Sequence, residues 1–161
     1  MTLDLSLTSL VAFGTTLTIL IFFAILDTRD RRIANHFVLI GGASGLIITI
    51  LTGHLGQNPI LHLAAFLFVS VLSCALFQMG AIGGADLKTL VILSISSPGI
   101  ELALWGDPVL EAIIGGGLTM LIMLIAGYVY SNWSMGTSER GTPLIPFLSA
   151  AYVLIQLLAL L

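Results

Sequence analysis

Asp27 and Asp86 are the residues in this chain whose type and setting suit chemistry. A carboxylate near a bilayer interior costs at least a few kcal/mol, so it needs a partner, a water-filled cavity or a task. Asp27 closes the apolar run Ile19 to Leu26. The negative end of a helix at that point is expected to raise its pKa, which suits a group that must hold a proton. Read alone, Asp27-Thr28-Arg29-Asp30-Arg31-Arg32 is better described as a wet interfacial loop whose ion pairs carry little energy. Asp86 follows the small-residue turn Gly80-Ala81-Ile82-Gly83-Gly84-Ala85 and precedes Leu87, Lys88 and an apolar helix. Two roles are open to it: capping the free amides of that helix, or catalysis. Gly83 and Gly84 leave room there for another backbone to approach.

Taken together, two carboxylates on different helices at one membrane face can share a proton, one ionised as base and one neutral as acid. Such a dyad hydrolyses peptide bonds. The base draws a proton from a water held between the two, and the acid polarises the scissile carbonyl, so neither a metal nor a covalent nucleophile is required. The sequence offers no rival constellation. His54 and His62 are expected on one side of the membrane and His36 on the other, so they read as interfacial side chains rather than a metal triad. No G-x-S-x-G elbow or Ser–Lys pair supports a serine nucleophile. Cys74 is alone, which excludes an internal disulfide, a paired redox motif and a multi-cysteine zinc site, and leaves it as a small packing residue. No metal and no cofactor is expected.

The elements that must hold this pair can be read from composition. The chain has 161 residues, 58% of them hydrophobic and only 8% charged, and a mean hydropathy of +1.14. Those values exclude a disordered segment, a basic nucleic-acid binder and a disulfide-rich module, each of which needs charge or cysteine that is missing here. Lipid is therefore the expected surrounding. The first basic residue is Arg29 and Asp4 stands near the start, so the first apolar run lacks the cationic flank of a cleavable signal and is expected to persist in the mature protein.

Crossing a hydrocarbon core of about 30 Å takes roughly 20 apolar residues as a helix. By that ruler residues 1–161 form a single all-α domain, a polytopic bundle of about six spans. The expected spans are Leu5 to Leu26, Ala34 to Leu51, Ile60 to Met79, a short fourth from Leu87 to Ser97, Val109 to Tyr130 and Pro143 to Leu161. The fourth is too short to cross alone before Ser97-Pro98-Gly99 interrupts it. Either a broken continuation through Ile100 to Trp105 completes it, or one end is sunk within the protein. Gly41 with Gly45, and Gly80 with Gly84, have small-xxx-small spacing and are expected to serve close helix packing.

All five basic residues, Arg29, Arg31, Arg32, Lys88 and Arg140, fall on one side of such a bundle. The positive-inside rule makes that side cytoplasmic, with both aspartates on it and both termini outside. Thr52 to Pro59 and Pro98 to Pro108 lack Lys and Arg, and Asp4, Glu101, Asp107 and Glu111 fall with them on the outer side. The arginines also suit contact with lipid headgroups.

The segments Asp27-Thr28-Arg29-Asp30-Arg31-Arg32-Ile33-Ala34-Asn35 and Gly83-Gly84-Ala85-Asp86-Leu87-Lys88 resemble the two signatures of the type IV prepilin peptidases and archaeal preflagellin peptidases, membrane aspartyl proteases of the GxGD type. Thr142-Pro143-Leu144-Ile145-Pro146-Phe147-Leu148 resembles the proline-containing start of that family's final helix, so the likeness covers most of the chain. Ala34 stands where the family usually has proline, and Ala85 where GxGD has its second glycine. The matching positions are Asp27, Arg32, Ile33, Asn35, Gly83, Asp86 and Lys88.

The resemblance implies that Asp27 and Asp86 are the catalytic pair, with Gly83, Gly84, Lys88, Arg32 and Asn35 shaping or supporting the site. It implies a prepilin-like or preflagellin precursor as partner, its short basic leader cut off at the cytoplasmic membrane border so that the mature subunit assembles into a pilus or archaellum. Larger bacterial members carry a four-cysteine insert and methylate the new N-terminus. This sequence lacks the cysteines, so cleavage without methyl transfer is expected. The reading from a different class is a small ion- or proton-coupled transporter using the two aspartates as a relay, which would be supported by an internal inverted repeat that the sequence does not display.

Overall fold

The computed structural model describes residues 2–3, 6–30, 33–104, 106–133 and 142–158. Its helices are α1 (Leu7–Asp30), α2 (Asn35–Leu51), the single turn α3 (His54–Gln57), α4 (Pro59–Gln78), α5 (Gly84–Ser96), α6 (Pro108–Trp133) and α7 (Ile145–Leu158). The remaining regular structure among the described residues is a two-residue antiparallel pairing of Thr2–Leu3 with Ala103–Leu104. The protein is thus an all-α membrane protein, as composition predicts. Helices α1, α4 and α6 are long and apolar enough to cross a membrane, while α2 and α7 are shorter apolar helices of 17 and 14 residues. A helix satisfies its own backbone polar groups, which is why apolar runs of this length take that form in lipid.

Local signals set the ends. Asp107 Oδ1 accepts from the Val109 and Leu110 amides at 2.9 and 3.1 Å and so caps α6. At the end of α4, Gly80 has φ 73, its amide reaches Phe77 O and the Ala81 amide reaches Leu76 O. That is a Schellman stop, in which a residue with a β-carbon would be strained. Gly80 and Gly84 therefore do not form the packing stripe their spacing suggests: the first ends α4 and the second begins α5. Gly41 and Gly45 do serve close approach. A β-carbon at Gly41 would lie 2.6 Å from Phe23 of α1, and one at Gly45 would lie 2.7 Å from Ser96 of α5. Cys74 does not pack inside, since it is exposed.

The helices pack in the order α1, α7, α6, α4, α5, with α2 laid against both α1 and α5. Leu20, Leu90, Met120, Met123, Leu148 and Tyr152 form the centre of the core, and Phe13 stacks on Tyr152 with ring centres 5.8 Å apart. A second cluster joins Phe23, Ile33, Ile92 and Ile145, bringing α1, α5, α7 and the connection before α2 together.

Helix α5 ends at Ser96 and does not resume after Pro98 within the described residues; Trp105 lies outside them. Residues 97–102 run on as buried, non-helical chain. Buried backbone needs partners, and side chains of α6 and α7 supply them. Glu111 Oε1 accepts from the Ile100 amide at 2.9 Å, while Gln156 donates to Gly99 O at 3.2 Å and accepts from the Leu102 amide at 3.4 Å. Tyr152 and Glu101 both bond the Ser97 hydroxyl, at 3.0 and 2.8 Å. Glu101 and Glu111 are thus buried rather than loop charges. His62 is buried too and bonds His54 at 3.0 Å, and His54 in turn lies 3.8 Å from Glu101, so these histidines form one chain rather than separate interfacial contacts.

Candidate functional site

Asp27 sits inside α1, because that helix runs a turn past the apolar stretch to Asp30. It is 5% exposed, which removes the wet-loop reading. Among the described residues of this region, Arg29 and Asp30 form an exposed ion pair instead, at 3.9 Å. Asp27 is therefore the polar end of the buried stripe Leu20, Phe23, Asp27 on α1.

Asp86 occupies the first turn of α5, one residue before the apolar stretch begins. Its Oδ2 accepts from the Gly83 amide at 2.8 Å, so the capping role is real, yet it engages one of two oxygens. Asp86 is 7% exposed. Burial pushes its carboxyl up from the usual 3.8 to about 6; the Gly83 amide opposes that shift and the negative charge of Asp27 adds to it. The two carboxyl groups are thus within electrostatic reach of each other.

Both face one partly open cavity of about 740 Å³. The Gly80–Asp86 turn covers it, Asp27 contributes from α1, Gly127, Tyr128 and Ser131 from α6, and Thr142 to Leu144 from the chain leading into α7. A cavity of that size falls within the range of ligand-binding clefts. Among the described residues no group of three or more His, Cys, Asp or Glu side chains is placed to hold a metal. Two carboxyl groups in one cavity, one of them raised towards neutral pH, can divide acid and base roles over a water molecule.

The other matched positions surround this pair. Gly83 approaches Asp86 closely, since a β-carbon on it would stand 3.1 Å from Oδ2, and Gly84 opens α5. Lys88 Nζ donates to Asn35 Oδ1 at 2.7 Å, joining the residues that follow the two aspartates. Ile33 is buried in the cluster of Phe23, Ile92 and Ile145. Arg32 lies outside the described residues.

Gly127, Tyr128 and Ser131 carry no signal that sequence reasoning used. A tyrosine-rich helix end reads as an interfacial belt. Gly127 has a structural reason to be small, because a β-carbon there would collide with Leu144. Only the proline-containing segment at Thr142 pointed towards this wall in advance.

A model of the type IV leader peptidase family matches residues 15–105, more than half of the chain. The matched stretch holds both aspartates and the glycine turn, and ends before α6. Neither the curated proteins nor the solved structures give a match.

Proposed function

Because the chain belongs to the type IV leader peptidase family, we propose that it is an aspartic endopeptidase that removes the short basic leader from prepilin-like or preflagellin precursors at the cytoplasmic membrane border. The observation that carries this reading is that Asp27 and Asp86, from helices far apart in sequence, line one cavity. Asp86, whose carboxyl is raised, holds the shared proton and polarises the scissile carbonyl. Asp27 acts as the base, not the proton holder its helix end suggested, and takes a proton from the attacking water while Asp86 delivers its own to the carbonyl oxygen; as the tetrahedral intermediate collapses, Asp27 passes the water's proton to the leaving amine and the diol hydroxyl returns a proton to Asp86. Gly83 and Gly84 give the substrate backbone access, and Lys88, Asn35 and Arg32 support the pair.

The protein is a single multi-pass domain of the cell membrane, with the active site on the cytoplasmic face and both termini outside, as the basic residues direct. It does not methylate its product, since its one cysteine, Cys74, cannot build the insert of the methylating relatives. The test incubates purified protein with a prepilin-like precursor and monitors leader loss by gel shift, comparing wild type with Asp27→Asn and Asp86→Asn. Folded variants that no longer cut support the dyad. A folded variant of either kind that cuts at the wild-type rate removes it.

A further inference from the structure

The carboxyl groups of Asp27 and Asp86 sit on α1 and α5, and α2 is packed against both. Its glycines make it a close-fitting spacer: Gly41 rests on Phe23 of α1 and Gly45 on Ser96 of α5, with no room for a β-carbon at either. Both contacts lie in the middle of α2. At the aspartate end its position depends on two other ties. Ile33 is buried against Phe23, Ile92 and Ile145, with Ala85, the residue before Asp86, packed alongside. Asn35 accepts the Lys88 hydrogen bond at 2.7 Å.

The second tie is unusual for its residue types. Asparagine at a helix start ordinarily turns its side chain onto the helix's own amides. Asn35 is instead the first residue of α2, behind Ala34 whose side chain makes no cap bond, and its oxygen goes to a lysine of another helix. Lys88 in turn is half-buried and lines the apolar groove between α2 and α5 with Leu87, Val91 and Ile95, while its ammonium reaches Asn35. The bond is exposed, and its charged donor makes it stronger than a neutral pair in the same setting. Ile33, two residues before Asn35, packs in one cluster with Phe23, which lies one turn before Asp27 on α1, so the start of α2 is linked to the helix that carries Asp27.

Resting on the dyad reading above, we infer that Asn35 and Lys88 are positioning residues: their hydrogen bond fixes the start of α2 against α5 and thereby sets the separation of Asp27 and Asp86. Neither touches the reacting atoms. Misplacement of a catalytic group by about 1 Å costs up to roughly a hundredfold in rate, while substrate held by the cavity and by its own hydrophobic helix still binds. The loss belongs in kcat and not in KM.

The experiment measures kcat and KM for leader removal from a prepilin-like precursor by full-length protein in proteoliposomes. The variants are Asn35→Ala, Lys88→Met, the two combined, and Asn35→Asp, with Asp86→Asn as reference and melting curves for each. The expected result is that Asn35→Ala and Lys88→Met each lower kcat by about tenfold or more with KM within about twofold. The double variant is no slower than the slower single, and Asn35→Asp, which still accepts from Lys88, recovers most of the turnover. Losses that multiply in the double variant overturn the inference, as does a rise in KM at constant kcat or full activity of Asn35→Ala. If Asp86→Asn is inactive while Asn35→Ala cuts at the wild-type rate, the positioning role alone fails. If Asp86→Asn itself cuts at the wild-type rate, the dyad fails with it.

Discussion

Replacing Asp86 by asparagine separates the chemistry of this residue from its structural role. Asparagine has nearly the same shape and keeps an oxygen that can accept from the Gly83 amide, so the 2.8 Å cap at the start of α5 can survive. What disappears is a buried charge. The carboxyl of Asp86 is raised from 3.8 to about 6, so the folded protein holds that proton more tightly than the unfolded chain does. Linkage gives the sign: stability is greatest where the group is neutral in both states, falls as pH rises from about 4 to about 6, and stays reduced above that. The gap between 3.8 and about 6, at about 1.4 kcal/mol per decade, corresponds to a cost of roughly 3 kcal/mol at neutral pH as an order of magnitude. The variant escapes it. Denaturant titration in detergent micelles should find Asp86→Asn more stable than wild type at pH 7.5, by up to roughly 3 kcal/mol, and equal to it near pH 4. Leader cleavage should be lost at both. A variant no more stable than wild type at pH 7.5 would refute the claim that burial strains this carboxylate, and with it the reason for assigning Asp86 as the acid.

The same raised carboxyl predicts that kcat/KM for leader removal declines as pH rises through about 6, because the acid loses its proton; a rate still climbing at pH 8 contradicts that role. Gly45→Ala should destabilise the bundle by about 1–3 kcal/mol through its clash with Ser96, and adding Ser96→Gly should restore the melting temperature. A double variant as unstable as Gly45→Ala excludes this contact as the cause. Glu111→Ala should cost about 1–3 kcal/mol by leaving the buried Ile100 amide without its acceptor. Glu111→Gln should cost less because it retains an oxygen, and equal losses in the two would show that the bond at Ile100 is not what matters.

Several features were legible from residue order alone. Apolar runs bounded by charge or proline located every helix except the single turn α3 to within about a turn, because a segment in lipid must satisfy its backbone internally whatever its neighbours do. Asp27 and Asp86 stood out for the same reason, as carboxylates at the edges of stretches where charge is expensive, and the motifs around them pointed to the family that the match over residues 15–105 establishes. The proline break at Ser97-Pro98-Gly99 was equally plain. The path of the chain beyond that break was not, since the acceptor for Ile100 is Glu111 on α6 and the partner of Leu102 is Gln156 on α7, and no local pattern encodes a contact between distant helices.

The aspartate end shows the same division. Sequence supplied Gly80 and Gly84 as a spacing, but the backbone decided their use, because Gly80 takes a left-handed φ to stop α4 and so cannot belong to a helical stripe. Sequence left Asp27 open between a wet loop and a buried site; the extension of α1 to Asp30 decided it by turning Asp27 onto the buried stripe. The walls at Gly127, Tyr128 and Leu144, and the bond between Lys88 and Asn35, exist only once α6, α7 and α2 are packed. Residue type and hydropathy determined which groups could bear a proton and which segments had to be helical, because those are properties of each stretch in its solvent. Tertiary structure decided what those groups face, because a shared cavity is made by side chains that meet only when the helices close around it.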